Sequence, residues 1–279
     1  MTALRIAGLV VLVMLSVAGV AETNCEEGAG PLRPAQPQGI TTQEIIQKFA
    51  AREAIFKDAR NNYTFTQDIT IQQLDGDSVT GEFRLVEDVD YDDKGNRLEN
   101  VTFAPQSSLT EVSLSPADYE DFRNKLPFVM TTDDLPKYSL LYAGQQHVDE
   151  IDTYVFDVAP KTIEKGQRYF QGRIWVDNKD LQIVKTCGKT VPEVHAATGR
   201  KKKKNADENL TPKFVTYREQ IDGQYWFPTY TSADDILHFM TGDVHIREII
   251  KYTNYKRFGV RTRIIYKGQA AAPPKNPSH

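Results

Sequence analysis

YTFTQDITIQ, residues 63–72, is where the periodicity of the chain changes from helix to sheet. Tyr63, Phe65, Ile69 and Ile71 share one face at a spacing of two, with Gln67 the exception. Thr64, Thr66, Asp68, Thr70 and Gln72 share the other. Such alternation marks a strand of an antiparallel sheet, packed on one side and wet on the other. Upstream the period is helical. Thr41 and Glu44 have capping-box spacing, and Ile45, Ile46, Phe49 and Phe56 fall on one face opposite Gln43, Gln47 and Asp58. Glu53 interrupts the edge of that apolar stripe.

Downstream, strands follow one another through short turns. Phe83, Leu85, Val89 and Tyr91 alternate, and residues 92–96, DDKGN, turn the chain towards Val101 and Phe103. Ser115-Pro116 reads as an N-cap followed by proline at the first helical position, with Tyr119, Phe122 and Leu126 at helical spacing and Pro127 as the stop. From Tyr138 the period is two again: Tyr154, Phe156 and Val158; Phe170, Ile174 and Val176; Leu181, Ile183 and Cys187. Phe214 to Ile221 leads through the hairpin signal Asp222-Gly223 into Gln224 to Phe227, which Pro228 is expected to end. Val244, Ile246, Ile250 and Tyr252 share a face near the end. The expectation is a mainly β (α+β) fold of nine or ten strands. A strongly curved antiparallel sheet or unclosed β-barrel is covered by an N-terminal helix and a helical insertion.

The ends of the chain read differently. Arg5 is the only charge before Glu22, an apolar run follows it, and Ala18 to Ala21 are small, which is the pattern of a signal peptide cut after Ala21. Residues 1–21 are therefore expected to be a signal peptide, 22–40 a Pro/Gly-rich flexible leader, 41–266 one domain and 267–279 a disordered tail. Glu22-Thr23-Asn24 before Cys25 argue against lipid modification of that cysteine. An exported protein sits in an oxidising compartment, where Cys25 and Cys187 could pair, but their proximity is not legible in the sequence.

At 279 residues and net charge −4, the chain can bury a sizeable core and has no global positive field for nucleic acid. The basic run Lys201 to Lys204 reads as a solvated hairpin loop. No catalytic signature survives. Gly188-Lys189-Thr190 lacks the earlier glycine of a phosphate loop, since Ile183 stands there, and there is no G-x-S-x-G elbow. His147, His195, His238, His245 and His279 form no metal-binding spacing. Asp90, Asp92 and Gly95 suggest a calcium loop, but Lys94 and Val101 occupy ligand positions. Asn62, Asn100 and Asn209 begin N-x-T triplets beside strand signals. No metal and no cofactor is expected. What remains is aromatic: Phe49 and Phe56 on the helix can face Tyr63, Phe65, Phe83, Trp175 and Trp226 on the sheet. They form either a filled core or a cavity for an acyl chain beneath a helical lid.

The order of signal peptide, amphipathic helix, paired strands, helical insertion and hairpins resembles the LolA-like outer-membrane lipoprotein-sorting proteins. So do the segments GQRYFQGRIWVDNKDLQIVK (166–185) and EQIDGQYWFPTY (219–230), in a branch known from acidobacterial genomes. The resemblance spans roughly residues 41 to 266. It implies a periplasmic, non-enzymatic carrier that shields lipid or lipoprotein acyl chains in an unclosed barrel and docks on proteins of the inner and outer membranes. The arginine such proteins use near the lid has no secure counterpart, and Arg84 is its nearest candidate by order along the chain. The lysine run and the helical insertion depart from the small carrier pattern. The alternatives are a non-transporting envelope binding or sensor module of the same fold, and, less favoured, a lipid hydrolase.

Overall fold

The structure is a computed structural model and describes residues 22–193, 210–239 and 241–258. The signal-peptide reading of 1–21, the run Lys201 to Lys204, Asn209, His195, His279 and the tail 267–279 lie outside the described residues. Helix α1 spans Thr42–Arg60 and starts with the expected reciprocal cap. Thr41 Oγ1 accepts from the Glu44 N–H at 3.2 Å while the Glu44 carboxylate accepts from the Thr41 N–H at 2.8 Å. Two of the orphan N–H groups of the first turn are thereby satisfied. Its buried face is Ile45, Phe49, Ala50, Glu53 and Phe56. The carboxylate that broke the sequence pattern is thus inside.

Two residues after the C-cap the chain enters β1 (Tyr63–Asp75), followed by β2 (Ser78–Tyr91) and β3 (Arg97–Phe103). Helix α2 (Pro116–Asn124) comes next, where the Asp118 carboxylate accepts from both the N–H and the hydroxyl of Ser115. A single 3-10 turn at Leu135–Lys137 leads to β4 (Tyr138–Val148), β5 (Ile151–Pro160), β6 (Tyr169–Asp177) and β7 (Ile183–Val191). Strands β8 (Phe214–Ile221), β9 (Tyr225–Phe239) and β10 (Gly242–Arg257) complete the described chain. Asp222 and Gly223 both have positive φ, 54° and 66°, as a two-residue hairpin turn matched to strand twist requires. Pro228 does not end its strand, contrary to expectation. It lies within β9 opposite Arg218, next to the register shift between Tyr217 and Arg218, where the regular ladder is already broken.

All ten strands form one sheet in the order β3-β2-β1-β10-β9-β8-β7-β6-β5-β4, every pair antiparallel. The two hairpin series are joined by the pairing of the first strand with the last. Edges β3 and β4 do not pair, so the sheet is unclosed. The connection between them, residues 104–137, carries α2 from one edge to the other. Strands β1 and β5 stand six places apart, about 29 Å on a flat sheet at 4.8 Å per strand. Yet Ile69 and Ile71 of β1, Phe156 and Val158 of β5, and Phe49 of α1 belong to one buried cluster. The sheet is therefore strongly curved, with α1 and α2 on its concave face.

The convex face has its own small core of Val148, Val155, Trp175, Val184, Cys187 and Val215, covered by the leader. The leader is extended and fastened to the sheet at several points. Ala29 and Arg33 bridge to edge strand β4, and Thr23 Oγ1 donates to the Lys213 carbonyl at 2.7 Å. Lys185, buried against Trp175 and Tyr217, donates to the Glu27 carbonyl at 2.7 Å. Cys25 and Cys187 form a disulfide across a sequence separation of 162. Cross-links closing long loops chiefly limit the unfolded chain. Cys25→Ser/Cys187→Ser is expected to lower unfolding free energy by about 2–4 kcal/mol, read by urea titration under oxidising conditions.

Candidate functional site

The concave face holds a cavity of about 460 Å³ between the sheet and the connection that crosses it. Alternation on β10 directs Val244, Ile246, Glu248, Ile250 and Tyr252 inward, and β1 contributes Ile71. Phe122 and Leu126, one turn apart on and just past α2, close the opposite side with Leu114. Phe214 and Leu237 complete the wall. The volume falls within the usual range for small-molecule sites, and the lining has their character of mostly apolar walls with few polar groups. A groove of about 840 Å³ on the convex face is larger, but Glu22, Glu26, Asp157, Arg173, Lys189 and Lys213 line it. Its charges are of both signs and largely paired with each other or with neighbours, as in Arg173 with Asp157 and Glu26, so it is a surface trough of ion pairs.

The charged groups of the cavity are all acidic, beside the hydroxyls of Ser113, Ser115, Thr190 and Thr211. Asp118 and Asp121 come from α2 and Glu248 from the sheet. Asp121 is held by Arg168, whose Nε donates to Oδ1 at 3.0 Å and whose Nη2 donates to Oδ2. Burial pushes the Asp121 carboxyl up, and Arg168 opposes it. Glu248 is 6% exposed and has no hydrogen-bonding or ion-pairing partner among the described residues. Burial, reinforced by Asp118 and Asp121, pushes it up to about 8. At neutral pH it is mainly a carboxylic acid.

The aromatic residues singled out in the sequence separate into three places. Phe49 is buried in the main concave core, and Phe65 and Phe83 pack at its margin, Phe83 edge-on to Tyr119 of α2. Phe56 and Tyr63 meet at one end around Phe227, at ring distances of 5.0 and 4.7 Å. The void beside Phe56 and Phe65 is only about 30 Å³, room for roughly one water. Trp175 and Trp226 belong with the convex core under the leader, away from α1. Their parity explains this, because Ile174 and Val176 on β6 and Phe227 on β9 take the concave side. Arg84 alternates with the inward Phe83 and Leu85, and its side chain is 43% exposed and paired with Asp68. None of these residues lines the 460 Å³ cavity. Glu248 was the signal passed over, a carboxylate in step with Ile246 and Ile250 on an apolar face.

No family model and no curated protein matches the sequence. Among solved structures, a DUF1329 family protein from Desulfovibrio piger is 15% identical, covering 76% of this chain and 92% of its own, at a TM-score of 0.37. A LolA superfamily protein from Nitrosomonas europaea is 13% identical over 80% and 96% of the two chains, at 0.34. An outer membrane lipoprotein-sorting protein domain from Vibrio parahaemolyticus is 16% identical over 74% and 91%, at 0.35.

Further groups position the roof of the site. Leu126, just past α2, gives its carbonyl to the buried Thr216 hydroxyl at 2.8 Å, and Phe122 gives its carbonyl to Gln67 Nε2 at 3.3 Å. Both bonds tie the connection to the sheet on either side of the cavity. Arg123 pairs bidentately with Glu99 of β3, at 2.6 Å for each bond. The roof is thus anchored to the sheet edge as well as to its centre. Among the described residues no group of three or more His, Cys, Asp or Glu is placed to hold a metal ion.

Proposed function

We propose that the protein is a non-enzymatic carrier of lipid or lipoprotein acyl chains, working in the periplasm after export by its signal peptide. The single observation that carries this reading is the 460 Å³ apolar cavity roofed by the 104–137 connection. Chain burial supplies affinity at about 0.8 kcal/mol per CH₂. The roof is the part that would move, because separate side-chain bonds from Gln67, Thr216 and Glu99 hold it, whereas the wall is a continuous backbone ladder. Release follows when the roof lifts, driven by docking proteins at the inner and outer membranes.

Native mass spectrometry of the full chain purified from its own compartment, with solvent extraction of anything bound, tests the reading. Co-purifying acyl lipid or acylated peptide supports it. Protein that arrives empty and also refuses added chains is a non-transporting envelope binding module instead. A second test uses the cavity wall. Leu114→Asp, at a partly buried position, is expected to weaken alkyl-chain binding by tenfold or more while the circular dichroism stays that of the parent. Unchanged binding by the folded variant removes the cavity from the mechanism.

A further inference from the structure

Among the described residues five carboxylates are buried: three have an arginine, and Asp177 accepts from the backbone N–H groups of Lys179 and Asp180. Glu53 is paired with Arg218 at 3.1 Å, Glu87 with Arg97 at 2.8 Å, and Asp121 with Arg168. Glu248 is as buried as these and has none among the described residues. It stands in the wall of the cavity, between Ile246 and Ile250 of its own strand. From α2, Asp118 and Asp121 face it, and the charge of Asp121 is already taken up by Arg168, while Lys125 lies against Asp121 and outside the lining. On β10, Arg247 and His245 project to the other side of the sheet, where both contact Asp234.

We propose that Glu248 receives the positively charged head group of an amphiphile, so that the cavity selects a cationic ligand whose alkyl chain lies on the apolar wall. The proposal rests on the carrier reading and specifies its ligand class. The physical argument is one of compensation. An unpaired buried acid is costly as a carboxylate and leaves an unsatisfied hydroxyl as an acid. An ammonium ion resolves both, because the ion pair forms at a side chain only 6% exposed, where it is worth more than at the surface. A carboxylate or phosphate head pointing inward would meet three acidic groups against one arginine already engaged. A neutral head would leave Glu248 protonated and supply only neutral hydrogen bonds, weaker than the charge-assisted ones of an ammonium. Because the acid is mainly protonated at neutral pH, an ammonium ligand must expel its proton: ammonium plus carboxylic acid gives the ammonium–carboxylate pair and one proton to the buffer.

The test is calorimetric titration of the full chain at pH 7 with dodecylammonium, dodecanol and dodecanoate, each below its micelle concentration, in two buffers of different ionisation enthalpy. The expected result is dodecylammonium tighter than dodecanol by tenfold or more, dodecanoate weakest, and close to one proton released per ammonium bound. In Glu248→Gln, an isostere of the protonated acid, the preference and the proton release vanish while dodecanol still binds. Chains that bind with no preference for ammonium, or a preference that survives Glu248→Gln, overturn this proposal and leave the carrier reading standing. Failure of all three probes to bind overturns both.

Discussion

Arg218→Met is expected to lower the unfolding free energy by about 3–5 kcal/mol, measured by urea titration at pH 7. Arg218 is the pin between α1 and the sheet. Its Nη1 donates to both oxygens of Glu53 at 3.1 Å and to the Ile183 carbonyl at 3.3 Å, and its Nη2 donates to the Phe128 carbonyl. The guanidinium also lies 5.4 Å over the ring of Phe56. One side chain thus holds α1, β7 and the end of the connection that roofs the cavity. Both partners are fully buried, with side-chain exposures of 1% and 0%. Removing the arginine alone leaves the Glu53 carboxylate in a dry site with only the Ile183 N–H at 3.2 Å to satisfy it. Burial already pushes Glu53 up, and without Arg218 it folds as the neutral acid.

A buried ion pair and a pair of well-packed apolar side chains can be nearly equal in stability, so the prediction concerns the single change. The double variant Glu53→Met/Arg218→Met is expected to recover most of the loss. Additive losses in the double-mutant cycle would show that Arg218 acts through its packing on Phe56 and its bonds to carbonyls, not through Glu53. The single variant's loss should also shrink at pH 5, where protonating Glu53 costs less.

The same residue shows where the sequence was legible and where it was not. Alternation and helical spacing exposed α1, most strands, both N-caps and the antiparallel pairing of successive strands, because these signals are local. Glu53 was visible as a flaw in the stripe of α1, but its partner lies 165 positions away. Nothing local could link them. The pairing of β1 with β10 and of Cys25 with Cys187 is hidden for the same reason. Pro228 stays inside its strand because a strand can carry proline at a register shift, and that shift depends on the neighbouring strand. Trp175 and Trp226 were different: their parity relative to Ile174, Val176 and Phe227 already placed them on the far face. Aromatic type does not carry that distinction, and the two tryptophans lie across the sheet from Phe49. Glu248 was legible by the same parity, since residues 244, 246, 250 and 252 were read as one inward face that must include 248.

Glu248→Gln is expected to become progressively more stable than the parent as the pH rises. The ordinary value for the group is 4.5 and burial lifts it to about 8, with Asp118 and Asp121 adding to the shift. Between those values the folded protein binds a proton that the unfolded chain has released. Stability therefore falls with rising pH across this window, and the full stability is present only below pH 4.5. At 1.36 kcal/mol per unit the loss between pH 5 and pH 8.5 amounts to about 4 kcal/mol for this one group. Glu53, Glu87 and Asp121 are also raised by burial and tilt the parent's profile in the same direction. The informative quantity is consequently the difference between variant and parent, in which those three cancel. That difference should be near zero at pH 5 and approach the full amount at pH 8.5. A difference that does not change with pH would mean that Glu248 is ionised and paired throughout, and would remove the unpaired acid from the floor of the cavity. Saturating the parent with dodecylammonium should flatten the difference, because the ligand supplies the missing partner and binds only the folded state.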